Sequence, residues 1–350
     1  MITGCCGFAG FNLAKNLLLR HADIELIGLD NLSRRGSELN LQYFEDLNIQ
    51  FIQGDIRCPS DLHNLPTVDW VIDCAAIPSV LAGTDKGTSS RQVMEHNLLG
   101  TINLLEYCKQ KGSGFILLST SRVYSASQLA KLPVTEKDDC YVIADPSKQR
   151  GVTGKGINED FSTTPPLSLY GTTKLASEII ILEYANSFDF PVWVNRCGVL
   201  AGAGQFGKAD QGIFSYWIHS FREKKPLKYI GFGGTGLQVR DALHPKDLVP
   251  LLIKQMEEPD RKVPKIMNLG GGLENSISLK QLSDWSEECF GPNNIFTSEE
   301  ERPMDAPWIV MDSTLARESW NWEPSTSLNE ILNEIAMHAE KNPDWLHVSQ

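Results

Sequence analysis

The chain begins Met-Ile-Thr-Gly-Cys-Cys-Gly-Phe-Ala-Gly over residues 1–10. Glycine recurs there at every third position, as Gly4, Gly7 and Gly10. The first glycine permits a tight turn after a strand, the second lets main-chain amides approach a pyrophosphate, and the third lets helix and strand pack closely. A helix that starts near Phe8 would direct its unpaired N–H groups at the phosphates. This spacing predicts a dinucleotide-binding turn.

An acidic residue follows the last of these glycines by 20 residues. It is Asp30, and it ends the apolar run Ile24–Leu29, which reads as a strand. A carboxylate at that position accepts hydrogen bonds from the ribose hydroxyls of the cofactor and repels a 2′-phosphate. The sequence therefore predicts NAD rather than NADP, although Arg34 and Arg35 lie close to the same position.

The first strand is short, because only Met1, Ile2 and Thr3 precede the glycine turn. The first strand of such a sheet is central and usually has ~5 residues or more. We interpret this as a late or trimmed start and expect the cofactor to be held less firmly than usual.

The composition limits the function classes. The net charge is −12 over 350 residues, without a dense Lys/Arg block, which argues against binding to nucleic acid. The eight cysteines form no CxxC pair and have no histidines at ligand spacing, so we expect neither a metal site nor disulfides. No signal peptide or membrane-spanning stretch is apparent, and we expect a cytoplasmic protein without a membrane partner.

Short apolar runs alternate with helical periodicity in the first part of the chain. This alternation predicts an α/β fold with a doubly wound parallel sheet of the Rossmann type. The predicted strands are Ile24–Leu29, Ile49–Gln53, Trp70–Asp73, Phe115–Leu118 and Val192–Asn195, and the predicted helices are Asn12–Arg20, Val93–Lys111 and Gly171–Phe188.

The pattern changes after about residue 201. We expect an NAD-binding domain over residues 1–201 and a smaller substrate-binding lobe over 202–350, with part of 237–255 returning to the first domain. Residues 125–166 are polar and poor in periodicity, which predicts a long loop acting as a lid. The acidic stretch beyond about Glu340 is predicted to be a frayed tail.

A tyrosine and a lysine form the chemical centre of the prediction. Tyr170 and Lys174 are four residues apart and hence lie on one face of a helix. A cation beside the phenol favours the phenolate and would lower the pKa of Tyr170 from about 10 towards the working pH. Thr120 lies at the carboxyl end of a predicted strand, where its hydroxyl can bind the oxygen that Tyr170 deprotonates.

With these motifs the chain resembles the extended short-chain dehydrogenase/reductases of the nucleotide-sugar epimerase and dehydratase type. The resemblance covers nearly the whole length. Besides the glycine turn it includes Asp30–Gly36, Gly54–Arg57, Cys74–Ala76, Asn97–Thr101, Thr120, Tyr170 with Lys174, and Gln238–Asp241.

The resemblance implies roles for individual residues. The catalytic residues would be Thr120, Tyr170 and Lys174. Those that bind NAD would be Gly4, Gly7, Phe8, Ala9, Gly10, Asp30, Asn31, Asp55, Ile56, Ala75, Ala76, Asn97, Tyr170 and Lys174. Those that bind the nucleotide-sugar substrate would be Arg122, Gln211, Arg240 and Arg302. In particular, Arg240 and Arg302 would hold the diphosphate by charge-assisted forks.

One departure from the family's sequence pattern limits the type of reaction that we expect. Dehydratases of this family follow the active-site threonine with Asp-Glu, and related decarboxylases have Ser-Glu, whereas this chain has Ser121-Arg122. The resemblance therefore implies a redox step followed by return of the hydride, which is epimerisation.

The subgroup of CDP-paratose 2-epimerases, also called CDP-tyvelose 2-epimerases, is the most similar. The similarity rests on Asp30–Gly36, Gly156–Phe161 leading to Ser168–Gly171, Gln205-Phe206 and Asp210–Gly212. It implies inversion at C2 of a CDP-sugar and a homo-oligomer. A UDP-hexose 4-epimerase, a nucleotide-sugar dehydrogenase that releases its reduced cofactor, and a non-catalytic NAD-sensing protein remain alternatives.

Overall fold

The fold is described by a computed structural model over residues 1–21, 23–84, 87, 89–208 and 211–349. The helices are α1 Phe8–Arg20, α2 Pro59–His63, α3 Ser90–Met94, α4 Gly100–Lys111, α5 Ala126–Leu129, α6 Leu169–Phe188, α7 Ile213–Arg222, α8 Val249–Glu257, α9 Leu279–Phe290, α10 Thr314–Trp320, α11 Leu328–Lys341 and α12 Trp345–Val348. The strands are β1 Ile2–Thr3, β2 Leu26–Asp30, β3 Ile49–Gln53, β4 Trp70–Asp73, β5 Gly114–Thr120, β6 Val134–Lys137, β7 Cys140–Ile143, β8 Val152–Thr153, β9 Gly156–Ile157, β10 Val192–Cys197, β11 Val199–Leu200, β12 Leu227–Tyr229, β13 Val239–Leu243, β14 Ile266–Leu269, β15 Ser276–Ser278, β16 Ile295–Thr297 and β17 Trp308–Ile309.

A parallel sheet forms the centre of the described residues. Its seven strands run in the order β14-β10-β5-β4-β1-β2-β3. Every residue of β5 and of β10 is buried, as expected for strands covered by helices on both faces. Because order and direction match the predicted architecture, the α/β doubly wound fold is confirmed. Among the described residues, no helix combines the length and the apolar character that crossing a membrane would need.

Two apolar layers hold the helices against this sheet. On one face, Leu13 of α1 packs with Trp193 of β10 and Leu252 of α8. On the other face, Leu105 of α4 packs with Ile181 of α6. Burying a side chain of this size contributes about 1.5–3 kcal/mol to folding. These apolar layers hold α1 and α6 in place relative to the ends of the strands. Helix α1 begins directly after the glycine turn, and Tyr170 lies in the first turn of α6.

Two segments beyond residue 202 pack on the large sheet. Strand β14 lies at its edge beside β10, and α8 belongs to the same apolar cluster as α1. The return that the sequence predicts over 237–255 covers most of α8 but does not include β14. The division into an NAD-binding domain and a substrate-binding lobe stays a prediction.

A smaller sheet carries one of the predicted substrate residues. Strand β13, which contains Arg240, pairs with β11, β15 and β17. Helices α7, α9 and α11 share a separate apolar cluster around Phe214, Leu282 and Ile335. The carboxyl ends of the large sheet and strand β13 therefore supply different parts of the candidate site.

The prediction of a long loop over residues 125–166 is wrong. The segment contains α5, the antiparallel pair β6–β7 and the short pair β8–β9. Leu129, Ile157 and Phe161 are buried in a cluster with Trp308 of β17. Strands of two to four residues are too short to produce a recognisable period, which explains the error.

The prediction of a frayed tail beyond Glu340 is also wrong within the described residues. Helix α12 packs against the chain, and Leu346 is fully buried. Trp345 stacks on Phe206 with ring centroids 5.4 Å apart and donates its indole N–H to the carbonyl of Gln205 at 2.8 Å. Trp345 and Leu346 follow the polar run 340–344, so the average polarity of this stretch conceals them.

Candidate active site

The glycine turn forms a cradle between β1 and α1. Gly4 has φ +61°, and a Cβ there would lie 2.9 Å from the Cα of Ala75. A Cβ on Gly10 would lie 2.2 Å from the carbonyl oxygen of Gly4. Helix α1 begins after Gly7 without a side-chain cap from the described residues, so its first N–H groups are available to an anion. The turn thus fits the pyrophosphate of a dinucleotide.

The carboxylate of Asp30 is held beside this turn. Its Oδ2 accepts a hydrogen bond from the backbone N–H of Cys6 at 2.9 Å, and its Oδ1 accepts one from Leu32 at 2.8 Å. Burial raises the pKa of Asp30, and these backbone hydrogen bonds oppose the rise. The structure therefore places Asp30 at the end of β2 next to the cradle, where the sequence predicts a ribose ligand.

The side chains of Cys5, Cys6 and Asp30 come close enough together to be examined as metal ligands. One ligand atom from each lies within 4.8 Å of the others. Both thiols, however, belong to the apolar core, and the hydrogen bond with Cys6 together with burial raises the pKa of Cys5. A metal ligand must be the thiolate, so we assign the two thiols to packing. The expected absence of a metal stays a prediction.

The predicted adenine-side residues form one polar group. The Arg57 guanidinium contacts Asp55 at 2.6 Å and holds the pKa of that carboxyl well below its usual range. Asn31 donates to the same carboxylate oxygen, from Nδ2 to Oδ2 of Asp55 at 3.0 Å. Asn103 donates to the carbonyl of Ile56 at 2.8 Å. Strand-end loops after β2 and β3 are thereby joined, and their contact with adenine stays a prediction.

Asn97 connects the loop after β4 with α6. It lies in a π-helical turn, Glu95–Leu99, of the kind frequent at functional sites. Its Oδ1 accepts from the backbone N–H of Ile77 at 2.8 Å, and its Nδ2 donates to Thr173 at 3.3 Å. Ala75 and Ala76 lie in the loop that Asn97 secures. Asn97 therefore joins this loop to α6, and its contact with NAD stays a prediction.

The structure brings Thr120 and Tyr170 together. Thr120 ends β5, and Ser168 caps α6 by accepting from the N–H of Gly171 at 3.0 Å. Tyr170, in the first turn of α6, is only 8% exposed. Burial raises the pKa of Tyr170 to about 12, while the hydrogen bond from Thr120 and the charge of Arg122 act in the opposite direction. A phenol and a hydroxyl thus lie together where β5 ends and α6 begins.

Lys174 lies one helical turn after Tyr170 and is 1% exposed. Its ammonium charge opposes the rise that burial causes in the pKa of both Cys74 and Cys197. The sequence predicts that the charge of Lys174 brings the pKa of Tyr170 towards neutrality. In the structure burial outweighs the nearby charges, and the cation that acts on Tyr170 is Arg122.

Three arginines converge beside Tyr170. Burial and the charges of Arg240 and Arg302 lower the pKa of Arg122 to about 10. Arg240 donates to Asp305 at 2.7 Å, so one carboxylate shares the cluster with three guanidinium groups. We call Arg122, Arg240, Arg302 and Asp305 the arginine cluster. Its excess positive charge and its forked donors suit a diphosphate.

Gln211 lies elsewhere among the described residues. Its Oε1 accepts from the Arg34 guanidinium at 3.1 Å, which places it beside the loop after β2. Among the described residues, no contact joins Gln211 to the arginine cluster. Its substrate role stays a prediction, and Asp210 of the same motif lies outside the described residues.

Sequence reasoning missed three features of the site. Asp305 follows the predicted Arg302 by three residues, a spacing that could have drawn attention to it. A Cβ on Gly171 would lie 2.1 Å from the carbonyl oxygen of Arg122. Glu178 and Arg196 form a buried ion pair, and no short motif joins them. The last two features depend on how α6 packs against the sheet.

Comparison with known proteins assigns the family. The model of the NAD dependent epimerase/dehydratase family matches residues 1–270. CDP-paratose 2-epimerase from Salmonella typhi is 32% identical over 340 residues, covering 96% of this chain and 97% of that relative. UDP-glucuronate 4-epimerase from Thermodesulfobacterium geofontis is 26% identical, covering 98% and 96%.

A solved structure agrees with this family. UDP-glucuronic acid 4-epimerase from Bacillus cereus, in complex with UDP-glucuronic acid and NAD, superposes with a TM-score of 0.77. It is 25% identical, and the match covers 97% of this chain and 98% of that one. Because the family model and the Salmonella typhi relative both cover most of its length, the chain belongs to the NAD dependent epimerase/dehydratase family and is an NAD-dependent enzyme.

Proposed function

We propose that this enzyme is a nucleotide-sugar epimerase that inverts C2 of a CDP-linked deoxyhexose, converting CDP-paratose to CDP-tyvelose through a keto sugar. The observation that carries the proposal is the pairing of Tyr170 with Thr120 beside the arginine cluster. The full-length similarity to CDP-paratose 2-epimerase supports the choice of sugar and carbon.

The residues divide the chemistry between them. Tyr170 takes the proton of the sugar hydroxyl, and Thr120 donates a hydrogen bond to the oxygen on which charge develops. The chemistry that bound NAD would supply is reversible acceptance of the hydride of the same carbon, with return to the other face of the keto sugar. NAD would be held by Gly4, Gly7, Gly10 and Asp30. Lys174 would bind the cofactor beside Tyr170. Return of the proton from Tyr170 completes the inversion without net oxidation.

The residues after Thr120 favour epimerisation over elimination of water. Elimination in this family uses an acid and a base directly after the threonine. Here Ser121 is buried and Arg122 contributes a cation to Tyr170. Asp305 lies within the arginine cluster, but it accepts from Arg240 at 2.7 Å. A carboxylate held in that way stabilises the arginine rather than moving a proton on the sugar.

The arginine cluster supports a diphosphate substrate. Hydrogen bonds to charged groups contribute about 1.5–3 kcal/mol each. The net charge of the protein is −12, so a general positive field does not attract the substrate, and the local arginines must do so. Their position beside Tyr170 would place the sugar of a nucleotide-sugar over the catalytic pair.

A second candidate function is a UDP-hexose 4-epimerase. The relative from Thermodesulfobacterium geofontis and the Bacillus cereus structure are both 4-epimerases of UDP-sugars. The same catalytic pair serves either reaction, because only the carbon presented to it differs. A dehydrogenase would release its reduced cofactor, and an NAD sensor would bind without turnover.

The experiment compares CDP-, UDP-, GDP- and dTDP-sugars with the NAD-loaded enzyme. Binding is measured by calorimetry, and products are identified by proton NMR, with Tyr170→Phe as the inactive control. We expect a CDP-deoxyhexose to bind most tightly and to change only at C2. Turnover confined to a UDP-sugar at C4 would establish the second candidate. Binding of NAD without turnover of any sugar, including CDP-paratose, would contradict an epimerase.

A further inference from the structure

A buried ion pair lies one layer away from the catalytic residues. Arg196 of β10 donates to Glu178 of α6 from Nη2 to Oε2 at 2.6 Å, and its Nε donates to both carboxylate oxygens at 3.1 Å. The two side chains are 7% and 1% exposed. Such a pair is directional, and each charge needs its partner once it is removed from water.

The pair connects the elements that carry the catalytic residues. Glu178 follows Tyr170 by eight residues and Lys174 by four, so the three share one face of α6. Oε1 of Glu178 also accepts from the hydroxyl of Ser119 at 2.5 Å. Ser119 precedes Thr120, and it is the register partner of Arg196 across β5 and β10. One carboxylate therefore joins α6, β5 and β10.

The network continues to the edge of the sheet. Nη1 of Arg196 donates to the hydroxyl of Tyr124 at 3.3 Å, and that hydroxyl donates to Oδ1 of Asn268 of β14 at 2.7 Å. The backbone N–H of Asn268 donates to Glu159 at 2.6 Å. Tyr124 follows the turn that contains Arg122, so the network reaches both sides of Thr120.

We propose that the Glu178–Arg196 pair is a positioning element that sets the separation between the phenol of Tyr170 and the hydroxyl of Thr120. Apolar contacts between α6 and the sheet tolerate small shifts, whereas a carboxylate that accepts four hydrogen bonds from three donor atoms does not. Misplacement by about 1 Å can reduce a rate about 100-fold. This inference rests on the proposed catalytic roles of Tyr170 and Thr120.

The test uses Glu178→Gln and the double variant Glu178→Gln/Arg196→Met. Three properties are measured: the melting temperature, kcat and KM, and the pKa of Tyr170 from carbon-13 NMR of labelled tyrosine in the NAD complex. In the single variant we expect kcat to fall about 10- to 100-fold with little change in KM. The pKa of Tyr170 should rise, because the hydrogen bond from Thr120 that lowers it is weakened.

If only the change in charge mattered, Glu178→Gln would lower the pKa of Tyr170. Glu178→Gln leaves the Arg196 cation unpaired, and an added positive charge lowers the pKa of a tyrosine. In the double variant the unpaired charge is gone, so the melting temperature should recover. We expect kcat to stay low and the pKa of Tyr170 to stay high, because the directional contact is still missing.

The matched control is Asn195→Ala. Asn195 exchanges two hydrogen bonds with Gln255, at 2.9 and 3.0 Å, on the opposite face of β10 from Arg196. This variant should lower the melting temperature but leave kcat and the pKa of Tyr170 unchanged.

Two results would overturn the proposal. One is an unchanged or lowered pKa of Tyr170 in folded Glu178→Gln, and the other is full recovery of kcat in the double variant. If the wild-type enzyme turned over no nucleotide-sugar, the proposed function would fail. The titration of Tyr170 would still decide the positioning role, because it requires only the NAD complex.

Discussion

Gly171 lies against the backbone of Arg122, where a Cβ on the glycine would come within 2.1 Å of the carbonyl oxygen. The first turn of α6 is thereby seated on the turn that follows β5. Because a glycine is required for this approach, the residue next to Tyr170 determines how closely the phenol lies to Thr120. The catalytic pair depends on a backbone contact as well as on its own side chains.

The first prediction concerns this contact. Gly171→Ala must push α6 away from the turn, which we expect to reduce the free energy of unfolding by about 1–3 kcal/mol and to lower kcat. Gly154→Ala is the matched control, because a Cβ there meets nothing within 4 Å among the described residues. Denaturant unfolding and steady-state kinetics are measured on both. Equal stability and activity of the two variants would show that the contact is unimportant.

The second prediction concerns Tyr170 itself. Tyr170→Phe keeps the ring and removes the proton-transferring oxygen, so turnover should fall about 100- to 10,000-fold. Affinity for NAD and for the nucleotide-sugar should be retained, because the hydroxyl that is removed makes only a small part of the contact with either ligand. Calorimetry and an NMR assay of the product measure both properties. A folded variant with near-normal turnover would remove Tyr170 from the chemistry.

The third prediction concerns the pH dependence. Activity should rise with pH, because deprotonated Tyr170 is the base and burial raises the pKa of Tyr170 to about 12. Arg122 opposes that rise, so Arg122→Gln should raise the pKa of Tyr170 further and shift the ascending limb of the kcat profile to higher pH. Arg122→Lys keeps the charge and should shift the limb less. A shift of the Gln variant to lower pH would contradict the assigned electrostatics.

The fourth prediction concerns the arginine cluster. Arg240→Gln removes a cation that lies opposite the expected diphosphate, and the Kd of the nucleotide-sugar should rise about 10- to 100-fold. The Kd of NAD should not change. Arg261→Gln is the control, since Arg261 pairs with Glu258 at 2.6 Å on the surface. An unchanged Kd for the sugar nucleotide in Arg240→Gln would exclude the cluster as its phosphate site.

Local patterns made part of this protein predictable. The glycine spacing and Asp30 indicated the dinucleotide turn, because each residue there meets a backbone requirement that few residue types satisfy. Strands β3 and β4 were predicted with the bounds that the structure shows, since each is a short segment rich in apolar residues. Tyr170 and Lys174 were recognisable from their helical spacing together with the dinucleotide turn that precedes them.

Other features depend on contacts between distant parts of the chain. Asp305 pairs with Arg240 across 65 residues, and α12 packs on Phe206 across about 140. The high pKa of Tyr170 arises from burial, which spacing along one helix does not reveal. Glu178 and Arg196 looked like ordinary polar residues until packing placed both beside Ser119.

Proton NMR of the reaction in heavy water shows directly whether C2 is inverted by hydride transfer. NAD-loaded enzyme is incubated with CDP-paratose, and the product is examined for configuration and deuterium at C2. The proposed route moves the hydrogen of C2 as a hydride. We therefore expect a product that is inverted at C2 and retains protium there. Deuterium at C2 would indicate deprotonation beside a carbonyl, and inversion confined to C4 would indicate a different epimerase. Either result would contradict the account.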